Sequence, residues 1–87
     1  MADKIHLRVV SASEVVLDRM VNYVHIPGTK GSVGVLAGHV PMLCAIGDGM
    51  AKCTFGQSET IQIMVKDGVA HVADNEVVFL VSYASIV

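Results

Sequence analysis

Twenty-five of the 87 residues are β-branched: 16 Val, six Ile and three Thr. Two substituents on Cβ suit a pleated surface and lose rotamer freedom in a helix. Leu occurs only five times and Glu three times, so strong helix formers are scarce apart from Ala. No stretch of ten or more residues keeps a 3.6-residue period without a Gly or Pro interrupting it. The chain is therefore committed to short strands separated by turns.

Alternation places those strands. Ile5, Leu7 and Val9 share one face, with His6 and Arg8 on the other. A short apolar run, Val15–Leu17, follows the Ser11–Glu14 turn, and a longer strand is expected over Met20–Ile26, ended by Pro27-Gly28. Ser32–Leu36 comes next. Pro41–Ile46 is nearly all apolar, which predicts cover on both faces. Met50–Phe55 follows Gly47-Asp48-Gly49. In Glu59–Lys66, Ile61, Ile63 and Val65 face one way. Asp67-Gly68 predicts a two-residue hairpin turn back into Val69–Ala73. Asp74-Asn75 predicts a second turn into Glu76–Val81. About nine short strands with turns at this spacing predict an all-β antiparallel sandwich or barrel. No linker divides the chain, so residues 1–87 read as one domain.

Composition narrows the function. Hydrophobic residues make up 53% and charged residues 16%, with net charge −2. An ordinary soluble domain carries roughly 25% charged residues. Disorder requires the opposite balance, and no basic field exists to hold nucleic acid. The longest uncharged run, Gly31–Gly47, is 17 residues and contains four Gly, a Pro and a His, so it does not read as a membrane span. The opening Met1–His6 has no apolar signal stretch, which predicts a cytoplasmic protein with Cys44 and Cys53 reduced.

Catalytic and ligand patterns are missing from the sequence. His6, His25, His39 and His71 lie at least 14 residues apart, so no local metal pair forms and each reads as structural or incidental. No Ser sits in a GxSxG elbow, and both Cys lie in apolar strands where a thiolate is disfavoured. The Gly-rich segment Pro27–Gly34 lacks the phosphate-loop order and no helix signal follows it. No metal, nucleotide or other cofactor is expected. A small β-domain of this kind is a binding or assembly module. Pro27–Pro41, with four Gly, two Pro, Lys30 and His39, is its most distinctive segment.

That segment, Pro27-Gly28-x-x-Gly31-x-x-Gly34-Val35-Leu36-x-Gly38-His39-x-Pro41, resembles the signature of the epsilon subunit of rotary F-type ATP synthases. Four further pieces agree in order: His6–Ala12 with the family's opening strand, Gly49-Met50, Gly68–Val72, and Val77–Ser82 with its closing strand. Ser32 stands where the family usually has Glu, Ala37 where it has Pro, and Asp67, Val69 and His71 where its hairpin has Gly, Phe and Glu.

The resemblance implies a flattened antiparallel β-sandwich of about ten strands. It implies a non-catalytic rotor subunit at the cytoplasmic face of the cell membrane. There it would link the gamma subunit to the c-ring and couple ion translocation to ATP synthesis or hydrolysis. Lys30, Gly31 and Ser32 resemble the loop facing the c-ring. Ser11, His39, Pro41 and Met42 resemble the gamma side. The helical hairpin in which the family's inhibition and nucleotide binding reside has no counterpart in residues 1–87, so neither property is expected of this chain. The alternative is a stand-alone β-sandwich protein-binding module.

Overall fold

A computed structural model describes residues 4–87, and all regular structure among them is β. Met1–Asp3, the start of the segment read as lacking a signal stretch, lie outside the described residues. Eight strands form in chain order: β1 (Ile5–Val10), β2 (Val15–Val21), β3 (Tyr23–Gly28), β4 (Gly31–Leu36), β5 (Met42–Ile46), β6 (Gly49–Phe55), β7 (Glu59–Ala73) and β8 (Glu76–Ile86). They belong to one continuous sheet in the order β2-β1-β8-β7-β5-β3-β4, with β6 between β3 and β7.

The sheet closes into a sandwich because β7 and β8 bend together. Residues 59–65 of β7 pair with β6, and residues 68–72 pair with β5. The first layer is thus β2, β1, the first half of β8, the second half of β7, and β5. The second layer is the end of β8, the first half of β7, β6, β3 and β4. Eight strands supply ten layer segments, five on each side, which reconciles the ten implied by resemblance with the eight observed.

The bend falls at Asp67, where the sequence predicted a hairpin turn. Asp67 takes a left-handed φ of 47°, but Gly68 does not, so the two-residue turn never forms and the strand runs on. Gly68 is needed for proximity instead. A Cβ there would lie 2.1 Å from the Leu80 carbonyl oxygen and 2.6 Å from Val81 Cα. Opposite the bend, Ser82 Oγ donates to Lys66 O at 2.9 Å. Asp74-Asn75 makes the reversal, with both residues at positive φ (52° and 59°).

Three other expectations are corrected. Met20–Ile26 is two strands broken at Asn22, not one. Val21 and Val24 are both buried, which strict alternation forbids, and Asn22 resets the phase. Its N–H donates to Thr54 O at 2.7 Å and its side-chain amide to Gly56 O at 3.0 Å. β5 is covered on one face only: Ile46 is buried, and Leu43 and Ala45 are exposed. The sheet is not wholly antiparallel, because β1 runs parallel to β8 from His6↔Glu76 to Val10↔Leu80.

The core draws on both layers. Ile5, Leu7, Val9, Val77 and Phe79 from the first pack with Val24, Ile26, Cys53, Ile63 and Val65 from the second. Replacing Gly68 with Ala forces backbone apart at the bend and should cost roughly 1–3 kcal/mol by urea denaturation. Gly47→Ala meets nothing nearer than Thr29 Cγ2 at 3.5 Å and should be close to neutral in the same measurement.

Candidate partner-docking surface

The β3–β4 turn presents the first predicted set. Gly28 pairs with Gly31, leaving Thr29-Lys30 as a two-residue tip. Gly31 sits at φ 125°, and a Cβ on Gly28 would meet the Gly31 carbonyl oxygen at 2.6 Å. The tip is anchored to β5, with Thr29 N–H donating to Ala45 O at 3.0 Å and Gly47 N–H to Pro27 O at 3.1 Å. Lys30, Gly31 and Ser32 are exposed and line an open groove of about 390 Å³ shared with Met42 and Cys44. Met42, expected with the gamma-side residues, therefore lies beside the Lys30 turn.

Ser11 and His39 are far apart. Ser11 closes the turn after β1, where its N–H donates to Glu14 O at 2.9 Å. His39 and Pro41 lie in the β4–β5 connection. That connection is tied to the other end of the molecule by Gly38 N–H donating to Asn75 Oδ1 at 2.7 Å. Asn75 O in turn accepts from His6 N–H at the start of β1. The length of β1, about 17 Å at ~3.3 Å per residue, separates the two regions.

Between them lies the outer face of the first layer, and its rows follow from the register. Ala45, Val69, Leu80, Val10 and Val15 pair in sequence across five strands. This row is wholly apolar, and Leu80 and Val15 are 53% and 51% exposed. Leu43, in the next row, is 69% exposed. The outer face of the second layer is different. Its middle rows are His25, Lys52 and Gln62, then Tyr23, Thr54 and Thr60. The first layer's outer face thus carries one wholly apolar row followed by the mixed row Leu43, His71, Val78, Arg8 and Asp18, and the second layer's also has the row Met50, Met64 and Ser85.

A charged cluster borders the apolar row. His6 Nε2 lies 2.5 Å from Asp18 Oδ1 on β2, and His6 Nδ1 lies 3.5 Å from Glu76 Oε2 on β8. Hydrogen bonding to Asp18 holds His6 above the ordinary imidazole value, against a smaller opposing effect of burial, and Glu76 adds to the rise. Sequence reasoning read His6 as structural or incidental and did not single out Asp18, Glu76, Leu80 or Val69. Alternation alone could have put each on an outward position. Pairing of β1 with β2 brings Asp18 to His6, the parallel pairing of β1 with β8 brings Glu76 and Leu80, and β7 with β8 sets Val69 beside Leu80.

Among the described residues no group of three or more His, Cys, Asp or Glu is placed to hold a metal ion, and no helix is long and apolar enough to cross a membrane. The outer face of the first layer therefore offers one continuous apolar row bordered by charge. The chain belongs to the ATP synthase delta/epsilon chain family, matching its β-sandwich domain over residues 4–86. It is 32% identical over 85 residues to an ATP synthase epsilon chain of Lawsonia intracellularis, covering 97% of this chain and 62% of that one. It is 38% identical over 84 residues to the epsilon chain of Maridesulfovibrio salexigens, covering 97% and 58%. The chain thus spans less than two thirds of the length of these relatives. Its fold is similar to a chain in the Euglena gracilis mitochondrial ATP synthase OSCP/F1/c-ring structure, with TM-score 0.89, 26% identity, and 95% and 53% covered. It shares its fold with a chain of the Tetrahymena thermophila mitochondrial ATP synthase central stalk/c-ring, with TM-score 0.77, 13% identity, and 97% and 67% covered.

The two thiols separate by position. Cys53 is buried in β6, and burial pushes its thiol up, whereas Cys44 is half-buried at the groove. An aromatic disulfide reagent should therefore label Cys44 in the native protein and Cys53 only after denaturation.

Proposed function

We propose that this chain, residues 1–87 taken as one epsilon-type domain, is the β-sandwich of a non-catalytic rotor subunit. It joins the gamma subunit to the c-ring of an F-type ATP synthase and helps couple ion translocation to ATP synthesis or hydrolysis. It works at the cytoplasmic face of the cell membrane as a peripheral subunit and needs no cofactor or nucleotide of its own. Membership of the delta/epsilon family supports the assignment.

The single observation that carries the reading is the apolar row from Ala45 to Val15. Five strands at about 4.8 Å spacing make it roughly 19 Å long. An exposed stripe of that length is wasteful on a monomer and suits a permanent contact. Gamma is the occupant proposed here. Ser11 stands at one end of this face and His39 and Pro41 at the other, so a partner spanning the face reaches both. The Lys30–Ser32 turn stands at the β5 edge of that face, its groove also lined by Leu43 and Ala45, and is assigned to the c-ring, with Met42 lining the same groove. A rigid sandwich whose tip is hydrogen-bonded to β5 transmits torque with little deformation.

Leu80→Glu places a carboxylate in the middle of the row at an exposed position. The folded chain should persist, and affinity for gamma should fall at least about tenfold in a pull-down or calorimetric titration. Lys52→Glu on the polar face should leave that affinity unchanged. Failure of the wild-type chain to capture gamma would favour a stand-alone binding module. For the turn, Lys30→Glu should alter assembly with the c-ring or ATP-driven ion pumping, and unchanged pumping counts against its placement there.

A further inference from the structure

His6 sits where one proton decides its bonding. Its two ring nitrogens each face a carboxylate, Asp18 on β2 and Glu76 on β8. A neutral imidazole carries one N–H and can donate to only one of them, whereas an imidazolium donates to both. Arg8 is the third charge: its Nε lies 3.7 Å from Asp18 Oδ2, is buried, and has no hydrogen-bond partner. With His6 neutral, two carboxylates and one guanidinium sum to −1. With His6 protonated the cluster sums to zero. The other titratable groups near this face are Lys4 ahead of β1, Glu14 in the β1–β2 turn, His39, which lines a small cleft with Glu76, Asp74 at the β7–β8 turn, and His71 on β7, which pairs with Val78.

These charges occupy the rows beside the apolar row. Arg8 and Asp18 pair with each other next to Val10, and His6 follows against Glu76 and Met20. A partner that spans this face from the apolar row to His39 also shields the cluster. Shielding a net negative group from water is costly, and shielding a neutral, fully donated one is much less so. We infer that docking of a partner on the outer face of the first layer takes up one proton, which His6 holds between Asp18 and Glu76. The inference rests on the reading of that face as the gamma contact and adds a pH dependence to it.

The direction follows from linkage. His6 is already raised above its ordinary value in the free chain. Its protonated bridge is fully present below about pH 6.5 and is lost as pH rises through the raised folded value. Docking that favours the protonated form raises that value further, so affinity tightens as pH falls across this window.

The test is calorimetric titration of the chain with its own gamma subunit between about pH 6 and about pH 8.5, in buffers of different ionisation heat. Wild type should bind with net proton uptake. Affinity should rise by up to about tenfold toward the acid end for each pH unit by which docking raises His6. His6→Gln should bind with a flat profile, and His71→Gln should keep the wild-type slope. The His6 ring resonances, followed by NMR, should titrate at a higher midpoint with gamma bound than without it. A pH-independent wild-type affinity, an undiminished slope in His6→Gln, or an unmoved His6 midpoint overturns the inference while leaving the docking reading intact. Absence of gamma binding at every pH overturns both.

Discussion

The whole molecule depends on two backbones meeting where one residue has no side chain. At Gly68, β7 passes so close to Leu80 and Val81 of β8 that a methyl group would overlap main-chain atoms. That approach lets both strands turn the same corner while remaining paired on either side, from Ile63↔Ile86 through Ala73↔Glu76. The continuity matters energetically. A sheet cut at the corner would bury unpaired N–H and C=O groups, each worth about 1–3 kcal/mol if unsatisfied. Ser82 meets part of that demand by donating to Lys66 O. Because the corner holds, the two layers can share one apolar interior in which Phe79 and Ile63 are both inaccessible to water.

The same corner sets the outer surfaces. Once β5 and β6 lie end to end along β7, every outward side chain has a fixed row. The first layer then aligns Val, Leu and Ala in one outward row with charged rows beside it, and the second aligns His, Lys, Gln and Thr in its middle rows. No single strand holds this asymmetry, since each contributes only one residue to a row. It arises from register, which sets the apolar row apart from the charged rows next to it. The Lys30 tip and the His39 connection, each hydrogen-bonded to a neighbouring strand or turn, are additions to a frame already decided by pairing.

Much of the architecture was legible in the residues. The β-branched content and alternation placed most strands, and Asp74-Asn75 gave the one tight reversal its dipeptide promised. Resemblance at Pro27–Pro41 and four other segments led to the family. What escaped had a physical reason in each case. Asp67-Gly68 has turn chemistry, but the tertiary demand was for a close contact, and only Asp67 uses its left-handed freedom. Asn22 looks like an ordinary strand residue until its two hydrogen bonds to the β6 end are seen. The apolar row and the His6 cluster depend on partners separated by up to 70 positions, from His6 to Glu76, which periodicity within one segment cannot reveal.

The parallel pairing of β1 with β8 also fixes when this chain can fold. Until Glu76–Leu80 have left the ribosome, β1 has only β2 beside it, and a lone two-stranded ribbon is barely stable in water. The first of these strands is completed by one about 70 residues further on, so closure is a long-range event. Until then the apolar sides of β1 and β2 stand open, which leaves the nascent chain prone to aggregation.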